Sequence, residues 1–502
     1  AVHDYLALMA SVRYGGISIV SVSENVMGKA ARYLFLIYVL FALILVYAAF
    51  GSIAAKLFSL DPRIAMLSIL FMPIALFLGF LMYRVRMDIK IASLIAGVLV
   101  VLAFIYSYNV GLALGPFDPS KSPAEGGWVA YHRWLLVLAV YAILAASLPV
   151  WYLLQPRDYA NAYMLWLGLV FAVGGLFIVG FRVLEAPAYT SFAPNIIGGQ
   201  PTPFWPAIPL IIACGSLSGF HSLVASGTTS KQLANELDAL FVGYGGMLTE
   251  GALSSFAVII PISLAWQAPE LVEMGVFKDN ILELGAIQRY TVGYGYVMGS
   301  ALSALGVSFE AAYKAFTLFA ALILSMYIMT TLDTSTRLAR FAWQELFDWM
   351  EARNPAAYKI ITNKWFASFI VVLAGTALAY PVLQIGAKWD AAYQVVWPAF
   401  AGTNQMLAAI ALLTSALWVY LILGARGAYG TLIMVPALAL WITVTAGLAW
   451  WLWKIAPVLP NIQKFGAGSM ILFSLILSIL LLVLFLIALV RGKVAVSQVS
   501  SS

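Results

Sequence analysis

Apolar runs of about 20 residues, separated by short polar segments, recur along almost the whole chain. That is the length an α-helix needs to cross a hydrocarbon layer about 30 Å thick at 1.5 Å per residue. Hydrophobic residues make up 63% of the 502 and charged residues only 10%, against roughly 45–50% and 25% in an ordinary soluble domain. A soluble core has no use for so much apolar surface, so lipid is read as the solvent for most of the chain.

Hydropathy marks twelve candidate spans: 33–57, 64–83, 89–110, 132–154, 161–181 and 205–225 in the first half, then 244–265, 311–332, 366–386, 394–424, 430–452 and 468–490. A thirteenth stretch, 285–305, is interrupted by glycine (TVGYGYVMG). Counting it would invert everything after it. Left out, it puts 16 of the 27 Lys and Arg residues on one side, among them Arg157, Arg337, Arg340, Arg426 and Arg491, as the positive-inside rule asks. Residues 266–310 are therefore expected to be an outer-side excursion whose short helices dip into the protein. Residues 333–365 are expected to form an amphipathic cytoplasmic connector, and the C-terminus to be cytoplasmic. Asn195 and Lys278 fall on the outer side.

The expected fold class is an all-α membrane protein of about 12 transmembrane helices, with one transmembrane domain over 1–490 and a polar, irregular tail over 491–502. The first residues, AVHDYLALMASVR, read as the tail of a helix already under way, so an N-terminally truncated helix is expected there.

The formal charge of +6 is scattered among short loops and makes no basic face for nucleic acid. One cysteine, Cys214, allows no intrachain disulfide. His3, His132 and His221 are too dispersed for a recognisable metal motif. GFHSLVASGTTSK lacks the phosphate-loop spacing and follows no strand. G-x-S-x-G is absent as well. No enzyme activity, cofactor or metal is expected.

The chemistry concentrates in AIPLIIACGSLSGFHSLVASGTTSKQL, residues 207–233. It starts as an apolar helix and then gathers Gly215, Ser218, Gly219, His221, Ser222, Gly227, Thr228 and Thr229. Small residues four apart let helix backbones touch. The Gly-Thr-Thr-Ser run goes further, because it loosens the helix and exposes backbone groups. Within a membrane such exposure is tolerated only against protein or a water-filled cavity, and transporters use it to hold solute. In VVWPAFAGTNQMLAAIALL, residues 395–413, Pro398 removes a backbone donor and Gly402 adds slack before Thr403, Asn404 and Gln405. These residues suit solute or gate contact, and equally an interhelical clasp.

Glu250 lies inside a span, where an unpaired carboxylate is costly unless protonated or paired. Glu250, Asp4 and His221 are the proton-coupling candidates, the last with a reference pKa near 6.5. Asp333 is expected to cap the cytoplasmic helix after it and to pair with Arg337 four residues on.

The chain resembles the carbon starvation protein A (CstA) family of peptide and pyruvate transporters. The resemblance rests on AVHDYLALMASVRYGG at 1–16, LPVWYLLQPRDY at 148–159, WPAIPLIIACGSLSGFHSLVASGTTSKQL at 205–233, TTLDTSTRLARFAWQEL at 330–346 and WPAFAGTNQMLAA at 397–409. It implies a permease of the bacterial inner membrane that imports pyruvate or short peptides with protons when carbon is short. It also implies the inverted-repeat, broken-helix architecture of the amino acid/polyamine/organocation superfamily. The family carries a glycine- and histidine-rich helix upstream of the AVHD motif that is absent from this sequence. The competing class, a membrane sensor for the same solute, would need a signalling domain that this sequence does not contain. The expected partners are the solute, protons and the bilayer.

Overall fold

The computed structural model describes residues 2–179, 191–197, 200–263, 265–385, 388–425 and 427–499. Helices dominate it. The first part comprises α1 (Val2–Arg13), α2 (Ile19–Met27), α3 (Lys29–Leu60), α4 (Pro62–Tyr83), α5 (Ile89–Asn109), α6 (Val129–Ser147) and α7 (Leu154–Val179). After them come α8 (Phe204–Ile212), α9 (Gly219–Gly227), α10 (Gly246–Ser263), α11 (Pro269–Glu273), α12 (Ala286–Ser303) and α13 (Phe309–Leu346). The chain then forms α14 (Met350–Arg353), α15 (Pro355–Ile361), α16 (Lys364–Ala379), α17 (Tyr393–Leu417), α18 (Ala428–Trp450) and α19 (Asn461–Val499). Two antiparallel ribbons qualify the all-α expectation: β1 (Asn195–Ile197) with β2 (Gln200–Pro201), and β3 (Val382–Ile385) with β4 (Lys388–Ala391).

Local chemistry sets many of the helix starts. Asp61 accepts from the Arg63 N–H with Pro62 in the first turn, Asp88 caps α5, and Asn363 accepts from the N–H groups of Trp365 and Phe366. Each supplies an acceptor for amides that the helix itself leaves unpaired.

Among the described residues nine helices are long and apolar enough to cross a membrane, or ten if α15 and α16, bent by 55° to each other, form one span. Helix α17 is the centre, with 83% of its apolar stretch buried, whereas α5 and α18 bury only 22% and turn the rest outward. Lipid is as apolar as leucine, so contacts between such helices rest on close packing and hydrogen bonds. Glycine makes that approach possible on α12, where a Cβ at Gly295 would lie 2.0 Å from Thr317 Oγ1 and one at Gly299 3.0 Å from the Phe309 ring.

Four expectations change. The excursion 266–310 does not hold short helices only, since α12 is one continuous 18-residue helix packed antiparallel on the start of α13. Residues 333–346 are no surface helix, because α13 runs through them to Leu346 and buries Asp333 through Arg337. Helix α19 continues to Val499 where an irregular tail was expected, and residues 500–502 lie outside the described residues. Finally, α17 runs unbroken through Pro398, and Gly402 provides contact in place of slack, since its Cβ would meet Leu448 Cδ2 at 2.2 Å.

Candidate functional site

The span expected at 205–225 is broken. Helix α8 passes into a 3-10 turn, Ala213–Gly215, and α9 begins at Gly219 after Ser218, which is extended at φ −121°, ψ 130°. The amides and carbonyls freed by this break find partners on α17. Asn404 Oδ1 accepts from the Phe220 N–H at 2.8 Å, and Asn404 Nδ2 donates to Ser218 Oγ at 3.0 Å. With its oxygen and nitrogen assigned so that each meets a complementary group, the Gln405 amide accepts from the Cys214 N–H at 2.9 Å and donates to the Leu217 carbonyl at 2.5 Å. Gly219 permits the contact, because a Cβ there would lie 2.3 Å from the Asn404 carbonyl oxygen. Gly215 does the same toward α10, where its Cβ would meet Ser254 at 2.4 Å.

Five of the eleven expected solute contacts, Gly215, Ser218, Gly219, Asn404 and Gln405, therefore meet at the break. Ser222 Oγ donates to the Gly219 carbonyl of its own helix at 2.7 Å. The Thr403 carbonyl accepts from the Tyr38 hydroxyl at 3.0 Å. The hydroxyls of Thr403 and Thr228 are buried without a hydrogen-bond partner among the described residues. Thr229 is half-buried and opens the 3-10 turn that follows α9.

The three proton-coupling candidates, which lie far apart in sequence, meet at α9. His221 Nδ1 is 3.4 Å from Asp4 Oδ1 of α1, and His221 Nε2 is 3.4 Å from Glu250 Oε2 of α10. His3 Nδ1 also lies 3.4 Å from Asp4 Oδ1. The row is graded in exposure, from Asp4 with 7% of its side chain exposed, through His221 at 29%, to Glu250 at 39%. An imidazole between two carboxylates can accept a proton at one nitrogen and release it at the other. Among the described residues no group of three or more His, Cys, Asp or Glu side chains is arranged to hold a metal ion.

Asp333 and Arg337 do not pair as expected, and Asp333 caps nothing. Asp333 sits inside α13 and takes a two-pronged ion pair from Arg157 of α7, with Nη1–Oδ2 at 2.8 Å and Nη2–Oδ1 at 3.0 Å. Arg157 also donates to the Tyr141 hydroxyl of α6. Arg337 donates to the carbonyls of Leu148 and Ala145 at the end of α6, both at 2.8 Å. The planar fork of Arg157 matches the carboxylate geometry better than a neighbour on the same helix can. Arg157 and Tyr141 were missed from sequence. The signal was present, since Arg157 and Asp333 lie in two of the motifs that carry the family resemblance.

A cavity of about 170 Å³ opens beside the end of α9. Gly227 lines it with Leu36, Val39, Leu223 and Leu338, and its polar rim includes Ser18, Lys231, Gln344 and Glu345. A Cβ at Gly227 would lie 2.7 Å from Leu338 Cδ2.

The comparisons with known proteins agree with the motifs. The profile of carbon starvation protein CstA matches residues 1–446. The peptide transporter CstA of Bacillus subtilis (strain 168) is 30% identical over 98% of this chain and 80% of its own length. The pyruvate/proton symporter BtsT of Escherichia coli (strain K12) is 28% identical over 91% of this chain and 69% of its own. The peptide transporter CstA of Campylobacter jejuni is 28% identical over 87% of this chain, which spans 65% of that relative's length. Among solved structures, a manganese transporter from Eremococcus coleocola superposes over 98% of this chain and 95% of its own with a TM-score of 0.33 and 14% identity, too loose a likeness to inform the fold. With a family profile matched over most of its length and a relative 30% identical across nearly all of it, this chain belongs to the carbon starvation protein CstA family.

Proposed function

We propose that the protein is a secondary transporter that imports pyruvate or short peptides across the bacterial inner membrane by proton symport, in response to carbon starvation. The observation that carries this reading is the Asp4–His221–Glu250 row seated on a broken helix. A proton-coupled carrier needs a titratable group whose charge state is felt by the solute site. Here the imidazole belongs to the helix whose backbone is interrupted two residues before it. The names of the relatives, a peptide transporter and a pyruvate/proton symporter, support the same reading and give the sensor alternative no support.

The solute is placed along the open side of α9, from His221 to Gly227, Thr228 and Thr229. Gly215, Ser218, Gly219, Ser222, Thr403, Asn404 and Gln405 shape the break behind it. Glu250, Asp4 and His221 are assigned to the proton, and Arg157, Asp333 and Arg337 to holding the scaffold. About twelve spans in an inverted repeat, with the C-terminus in the cytoplasm, complete the proposal.

Uptake of labelled pyruvate into proteoliposomes, driven by an imposed pH gradient and competed by dipeptides, tests it. No pH-driven uptake of either solute class would sink the transport reading.

A further inference from the structure

His3 is a buried titratable side chain to which the proposed proton coupling gives no task. Its side chain is 1% exposed, and neither ring nitrogen makes a hydrogen bond among the described residues. Its Nδ1 lies 3.4 Å from Asp4 Oδ1, and His221 Nδ1 lies 3.4 Å from that same oxygen. One carboxylate oxygen thus faces two imidazoles, one from α1 and one from α9.

Gly243 lets the turn Leu240–Gly245 close on α1 here, since a Cβ at Gly243 would lie 3.0 Å from Tyr5 Cα. That turn carries one ionisable side chain, Tyr244, and residues 395–417 of α17, which also packs on α1, carry none. Among the described residues, the ionisable groups along this line are His3, Asp4, His221 and Glu250 of α10, with the Cys214 thiol near Glu250.

The two Nδ1 atoms, each 3.4 Å from one oxygen, lie within about 7 Å of each other. A proton on one ring therefore weakens proton binding at the other. The shared oxygen also gives the proton a route. Protonated His221 passes its Nδ1 proton to Asp4 Oδ1, and Asp4 passes it to His3 Nδ1. The end state is neutral His221, ionised Asp4 and protonated His3, with no proton gained or lost.

We propose that His3 is the fourth member of the row and takes the coupling proton, through Asp4, when His221 gives it up. This deepens the transport reading and rests on it. The positive charge moves from the broken helix onto α1, so it leaves the solute site without leaving the protein. His3 acts on the solute only through the charge of His221, as a positioning residue.

The test is the pH dependence of exchange of labelled for unlabelled solute, pyruvate or dialanine, in proteoliposomes held at the same pH on both sides. Exchange should fall as pH rises through the point where His221 loses its proton. In His3→Gln the competing base is gone and His221 keeps its proton to higher pH, so the midpoint should rise by roughly one unit, the scale of such coupling. A packing role would lower the rate or the unfolding midpoint and leave the pH midpoint in place. An unchanged or lowered pH midpoint in the folded variant overturns the proposal. If His3→Gln does not fold, the presence of only three histidines in the chain allows a direct reading. With isotope-labelled histidine in a His132→Gln background, magnetic resonance in bilayers sees only His3 and His221, told apart by the signal lost in His221→Gln. The two rings should protonate in separate steps. A His3 ring that keeps one protonation state between about pH 5 and 9 overturns the proposal. Exchange at a pH-independent rate in the wild type overturns it too and leaves transport standing, whereas exchange of neither solute overturns both readings.

Discussion

Asn404 caps a helix to which it does not belong, its side-chain oxygen accepting the Phe220 N–H of α9 at 2.8 Å from a position within α17. A helix normally takes this acceptor from the residue just before it, yet Ser218 makes no such bond to its own helix. The break and α17 are therefore one unit. Asn404→Ala should destabilise the protein by about 1–3 kcal/mol, the usual consequence of leaving buried polar groups unpaired. Gly219→Ala should cost about as much by overpacking, because its Cβ would lie 2.3 Å from the Asn404 carbonyl oxygen. Ser222→Ala, whose hydroxyl only returns to its own helix, should cost less. Unfolding midpoints in detergent give the order, and an Asn404→Ala variant as stable as Ser222→Ala would contradict it.

The ion pair of Arg157 with Asp333 makes a second prediction. Both side chains are almost fully buried, at 0% and 2% exposure. Arg157→Ala leaves a carboxylate stranded and should cost about 3–5 kcal/mol, whereas Arg157→Met combined with Asp333→Leu should recover much of the loss. A double variant as unstable as the sum of its single changes would show that the pair acts through something other than mutual charge compensation.

The sequence made the membrane class and a broken helix within 213–231 legible, for reasons that lie in local composition. Twenty apolar residues need no partner to reveal themselves, whereas the Gly-Thr-Thr-Ser run at 227–230 marks the end of α9 and the break itself lies earlier, at 213–218. Pairing is another matter. Asp333 has an arginine four residues on, and spacing alone favours that neighbour, but the carboxylate faces α7 and finds Arg157. Asn404 and Gln405 showed as polar residues in an apolar helix, yet the groups they serve lie nearly 200 residues away on another element. Asp4, His221 and Glu250 could be named individually from burial logic, while their alignment depends on how α1, α9 and α10 pack.

Topology can be checked at residues that a reagent can reach. Arg157 and Arg340, expected on the cytoplasmic side, are buried, and Arg426 lies outside the described residues. Lys359 and Lys278 are exposed. In a Cys214→Ala background, Lys278→Cys should be modified by an impermeant thiol reagent added outside intact cells, and Lys359→Cys only after permeabilisation. Labelling of position 359 from outside would invert the orientation.

Glu250 is the most exposed member of the carboxylate–imidazole row. If the coupling proton enters or leaves there, Glu250→Gln removes the site of net proton movement and leaves the solute path intact. Exchange of labelled for unlabelled solute across the membrane needs no net proton and should persist. Accumulation should vanish, although with one proton per solute a pH step of one unit otherwise supports about tenfold concentration. His221→Gln, which cuts the row between Asp4 and Glu250, should show the same split between exchange and accumulation. A purely structural role would lower both activities together with the unfolding midpoint. Normal pH-driven accumulation in a folded Glu250→Gln protein would remove this carboxylate from the coupling path.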